Sequence, residues 1–67
     1  MANKLKIGDY VKSTAIGYFS ILHEYKGIIT KDVDGNYHFS VLVFFEDGNP
    51  ISPRKFRFAK SSAMLVE

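Results

Sequence analysis

No cysteine occurs in the 67 residues, so neither a disulfide nor a thiolate zinc site can staple this fold. That suits a reducing compartment, and a cytoplasmic chain is the expectation. Long apolar runs are also missing: the longest, Val41 to Phe45, falls far short of the roughly 20 residues that span a bilayer. The segment from Met1 to Lys6 carries no hydrophobic signal core ahead of Gly8 and Asp9, so neither membrane insertion nor secretion by that route is expected. The glycines, at positions 8, 17, 27, 35 and 48, are too dispersed to cradle a phosphate. Repeats, low-complexity stretches and linkers are absent, and the length admits one core, so 1–67 reads as a single small domain. Dinucleotide-binding sheets and eight-fold barrels need roughly 100 residues or more and are excluded.

What is present is aromatic and β-branched. Six Phe and four Tyr, with Val, Ile and Leu, favour strands over helices. Leu5 and Ile7 alternate, Gly8-Asp9 interrupts them as a turn or bulge, and Tyr10-Val11 resume a first strand. Ser13 to Tyr25 reads as irregular or extended; the alternative is a helix from Ala15 to Tyr25 packed across a three- or four-stranded sheet. Gly27-Ile28-Ile29-Thr30 is a second strand, and Asp34-Gly35 is a hairpin dipeptide. After it, Tyr37, Phe39, Val41, Val43 and Phe45 form one face of a long alternating run. His38, Ser40, Leu42, Phe44 and Glu46 form the other, apolar at its middle, as a strongly bent strand requires. Asp47-Gly48-Asn49-Pro50 is a second turn, and Pro50 with Pro53 directs the following segment to a strand start or a sheet edge. Phe56 and Phe58 alternate with Lys55 and Arg57. Lys60-Ser61-Ser62 suits one short 3₁₀ turn, and Ala63 to Val66 a closing strand.

This order, with Ile7-Gly8-Asp9-Tyr10-Val11 first, Gly27-Ile28-Ile29 second, Val41 to Gly48 third and Ala63-Met64-Leu65-Val66 last, resembles the Src-homology-3-type (Tudor-like) superfold. The resemblance spans most of the chain through loose patterns and carries no signature of a particular family. It implies an all-β, small five-stranded, strongly bent antiparallel barrel, and it says little about a partner.

Catalytic and metal chemistry find little support. Asp32-Val33-Asp34-Gly35-Asn36 opens like a calcium loop, but the sixth position is Tyr37 and the twelfth Val43 where such a loop needs Gly and Glu, so it reads as a polar turn. His23 and His38 have no third ligand at a recognised spacing. No enzyme, no metal and no cofactor is therefore expected. A weaker reading, a site assembled only in a ring of several copies, has no residue asking for it.

The charge is uneven. From Gly48 to Glu67 there are four cations, Arg54, Lys55, Arg57 and Lys60, against one acid, although the whole chain carries only +2. Lys55 and Arg57 on the wet side of one strand, extended by Lys4, Lys6 and Lys12, would attract phosphates; the plainer reading is a solvated face that blocks edge pairing. Ser52-Pro53-Arg54-Lys55 looks like a minor-groove-contacting unit, but it occurs once and leads into a strand, so a proline-marked strand start is the simpler reading. Of Tyr10, Tyr18, Tyr25, Tyr37 and Phe44, some are expected at the surface, where rings stack on bases or anchor an interface. The expectation is a non-enzymatic binding module for nucleic acid, DNA or RNA, with Arg54, Lys55, Arg57, Lys60 and Lys12 on phosphates and Tyr18 and Tyr25 on bases. The alternative is a protein-interaction module, an adaptor or inhibitor of the kind phages and mobile elements encode, with a second copy of the chain as one form of partner.

Overall fold

The computed structural model describes residues 5–16, 20–35 and 37–66. They form β1 (Tyr10–Ile16), β2 (Leu22–Val33), β3 (His38–Glu46), β4 (Asn49–Ala59) and β5 (Met64–Leu65). All five belong to one antiparallel sheet in the order β4-β3-β2-β1-β5. The expected all-β, five-stranded architecture is present. The sheet is bent but not closed: β4 and β5 stand at opposite edges, with no pairing between them among the described residues. No described helix is long and apolar enough to cross a membrane.

Both predicted turns sit where their residues allow positive φ. Asp47 and Gly48, at φ 51° and 81°, make a two-residue turn between the paired Glu46 and Asn49. Asp34 and Gly35, at 52° and 63°, open a longer connection between the paired Val33 and His38. Asp47 tolerates its backbone because its side chain is tied to β2. Its Oδ1 accepts from the Glu24 amide at 2.8 Å, its Oδ2 lies 2.7 Å from His23 Nδ1, and its own amide donates to the Glu24 carbonyl at 2.7 Å.

The core lies on one face. Val11, Tyr25, Ile29, Phe39, Val41, Val43 and Phe58 are buried, with Leu5, Ile51, Phe56 and Ala63 packed against them. The sheet wraps this cluster by slipping register between Lys26 and Gly27, between Ile29 and Lys31, and between Val43 and Phe45. Bulges of this kind add bend and twist without breaking the sheet. At Gly27 the chains approach so closely that a side-chain carbon would strike the Leu42 carbonyl and the Val43 Cα.

Several expectations need correction. Leu5 and Ile7 lie outside β1, in the segment leading to a turn at Ile7-Gly8, where the Gly8 amide donates to the Ile29 carbonyl. The Ala15–Tyr25 helix is not formed, since β1 runs to Ile16 and β2 starts at Leu22. Tyr37 stands in the connection at 76% exposure, so the buried face of β3 is Phe39, Val41 and Val43. Phe45 leaves that face because the register slip after Val43 sets it opposite Lys26. The fourth strand begins at Asn49 and carries both prolines, on a sheet edge as expected. Lys60 to Ser62 is a hydrogen-bonded turn held by the Ser62 and Ala63 amides on the Ala59 carbonyl.

Candidate nucleic-acid interface

Residues directly opposite each other in an antiparallel pair project to the same side. The register therefore defines rows across the face opposite the core. One row reads Tyr10, Ile28, Leu42, Lys55. Beside it run Met64, Lys12, Lys26, Phe45 and, on the other side, Lys31, Ser40, Arg57. With strands about 4.8 Å apart, a row across four strands spans about 14 Å.

Five cations thus share one face. Lys12, Lys26, Lys31 and Lys55 form no ion pair among the described residues. Lys12 and Lys26 are direct cross-strand neighbours, an arrangement that costs stability through like-charge repulsion. Edge protection does not explain it, because Lys26 lies on the central strand. Lys55 and Arg57 border a shallow depression of about 220 Å³ whose other lining residues are Val33, Ser40 and Phe56.

The remaining expected contacts are placed differently. Arg57 is on this face, but its Nη1 lies 2.9 Å from Asp34 Oδ2. His38 Nδ1 is 3.3 Å from the same oxygen, too poorly aligned for a hydrogen bond, and has no other partner among the described residues. Lys60 pairs with Asp32 and lies 4.7 Å from the centre of the Phe39 ring. Arg54 is opposite Val43 and therefore on the core side, over the Phe56 ring at 5.5 Å. Tyr25 is 8% exposed, its ring centre 4.5 Å from that of Phe56 with the planes tilted by 37°, and its hydroxyl donates to Glu46 at 3.0 Å. Burial first, and then that hydrogen bond, raise its phenol above the usual range. Tyr18 lies outside the described residues. So the face keeps Lys12, Lys55 and Arg57 from the expected set and adds Lys26 and Lys31.

Lys26 was signalled by period, alternating with Ile28 as Lys12 does with Tyr10, whereas Lys31 has the parity of the buried Ile29 and reaches this face only through the slip between Ile29 and Lys31. The meeting of Lys12 with Lys26 depends on the β1–β2 register, which alternation alone does not specify. A second surface feature lies further along the same two strands. Ile16 and Leu22 are cross-strand partners at 72% and 62% exposure, with Ile21 exposed beside them.

The His23–Asp47 contact, at 2.7 Å, serves the turn. The hydrogen bond to Asp47 raises the His23 pKa from its ordinary value; the same contact, with the Glu24 amide, lowers that of Asp47. Among the described residues, no group of His, Asp and Glu side chains is arranged to hold a metal ion.

No protein-family model, no curated protein and no solved structure matches this chain.

Proposed function

We propose that the chain is a non-enzymatic binding module that takes nucleic acid on the outer face of its sheet. The observation supporting this is the cluster of Lys12, Lys26, Lys31 and Lys55, which form no ion pair among the described residues, with Lys12 and Lys26 set against each other in the middle of the sheet. Two like charges placed side by side destabilise a sheet, and a polyanion removes that cost on binding. Ser40 and the rim of the depression between Lys55 and Arg57 add a hydroxyl and two cations for a phosphate. The cytoplasm is the compartment this reading implies.

Anisotropy titrations of labelled mixed-sequence DNA and RNA at two salt concentrations test it. Binding near 50 mM salt that weakens steeply at about 200 mM is the expected result. Undetectable binding of both polymers at the lower salt sinks the reading.

The exposed Ile16, Ile21 and Leu22 favour a second reading, a protein-interaction module, a second copy included. It predicts that Ile16→Ser with Leu22→Ser abolishes association while leaving Lys26→Met without effect. Sedimentation of the pure chain separates self-association from a foreign partner.

A further inference from the structure

We infer that the nucleic acid taken by this face is single-stranded, with an unpaired base laid against Tyr10; this rests on the nucleic-acid reading above. Two independent features carry it. The first is composition. Between the Lys12–Lys26 row and the Lys31–Ser40–Arg57 row runs Tyr10, Ile28, Leu42, and only its far end, Lys55, is charged. Ile28 is 38% exposed although it sits on the central strand, and Tyr10 and Leu42 on either side of it are half-buried, so the strip meets solvent at its middle and presents part of the Tyr10 ring.

A duplex offers such a strip nothing. Its base faces are stacked inside, and its surface is phosphate, sugar and groove edge. A single strand exposes base faces, which stack on aromatic and apolar side chains while the backbone follows flanking cations. The apolar strip, about 10 Å across three strands, accommodates roughly two to three nucleotides at a single-strand spacing of 3.4 Å or somewhat more.

The second feature is shape. The sheet bends around the core through three register slips, so its outer face is convex. A rigid convex duplex meets a convex face along a narrow line and reaches few of the lysines at once. A flexible strand drapes across all three rows.

The experiment compares one labelled oligonucleotide of about 12 residues, single-stranded and as its duplex, at fixed salt. It uses the wild-type chain, Tyr10→Leu and Tyr10→Phe, with each variant's thermal melt recorded. The expected result is at least roughly tenfold preference for the single strand, lost in Tyr10→Leu and kept in Tyr10→Phe. With four Tyr and no Trp in the chain, intrinsic emission comes from tyrosine, and quenching on binding should shrink in Tyr10→Leu. Equal or tighter binding of the duplex overturns the single-strand inference and leaves the nucleic-acid reading standing. A single-strand preference unchanged in a folded Tyr10→Leu overturns the role of Tyr10. If neither form binds near 50 mM salt, the parent reading fails with it.

Discussion

Replacing Gly27 with alanine tests the bend that makes the outer face. A methyl carbon there would lie 2.7 Å from both the Leu42 carbonyl carbon and the Val43 Cα. Carbon atoms in good contact are about 3.5–4.0 Å apart, so the overlap is close to 1 Å or more, and it is against backbone. Flexible side chains can rotate away from such a clash, but the central pair of a sheet cannot. Overpacking typically costs about 1–3 kcal/mol, and a backbone clash belongs at the upper end. Alanine returns about 0.4–1 kcal/mol by restricting the unfolded chain, which leaves a net loss of about 2 kcal/mol. A domain of this length has on the order of 3–10 kcal/mol in all. At about 4–8 °C per kcal/mol, the melting temperature should fall by roughly 8–16 °C. Gly48→Ala is the comparison: Gly48 has φ 81° but nothing within 4 Å of an added carbon, so only backbone strain is incurred. Circular dichroism melts of both variants decide the matter. If Gly27→Ala melts within about 2 °C of the wild type, or no lower than Gly48→Ala, the close β2–β3 approach is not as described.

Lys26→Glu exchanges a like-charged cross-strand pair for an opposite one with Lys12; urea unfolding should show about 0.2–1 kcal/mol of added stability, while oligonucleotide affinity falls at least severalfold. A gain in stability without a loss of binding would separate the lysine pair from function. Asp34→Asn removes the carboxylate that holds Arg57, so affinity should rise two- to fivefold by roughly the worth of one exposed ion pair, as read by anisotropy at low salt. The His23–Asp47 contact gives a signed pH dependence. His23 has a raised folded pKa, so its contribution is complete below the usual value of 6.5 and is lost as pH climbs through the raised value. Asp47 has a lowered one, so its contribution is complete above the usual 3.8 and is lost as pH falls through the lowered value. The melting-temperature difference between wild type and His23→Gln should therefore be largest between about pH 4 and 6.5 and shrink in alkaline solution. A difference independent of pH would assign the contact no charge.

Much of the fold was legible because its determinants are local. Asp34-Gly35 and Asp47-Gly48 announce positive φ by residue type, and the Phe39, Val41, Val43 alternation marks a half-buried strand whatever its partners. Pro50 and Pro53 pointed to a strand start or a sheet edge, and β4 is an edge strand with Pro50 as its second residue. Phe45 defeated the alternation because a one-residue slip reverses facing, and that slip arises where β3 must bend between β2 and β4. The site was half legible for a similar reason. Lys55 and Arg57 belong to one strand and show their shared face by spacing alone. Lys12, Lys26 and Lys31 join them only through pairing between distant segments. Lys60 and Arg57 looked free because Asp32 and Asp34 are more than twenty residues away in sequence, yet the end of β2 and the connection after it set those carboxylates beside them. Tyr25 looked available for stacking because its role in the core, against Phe56 and Glu46, is likewise long-range.

The proposed phosphate path crosses Lys12, Lys26, Lys31 and Lys55, and the slope of log affinity against log salt counts its contacts most directly. For a single strand each lost contact should reduce that slope by about 0.7. Lys26→Met should show that reduction, and Lys60→Met, whose cation is already held by Asp32, should leave the slope unchanged. A slope unaltered by Lys26→Met, or reduced equally by Lys60→Met, would contradict an interface on the outer face.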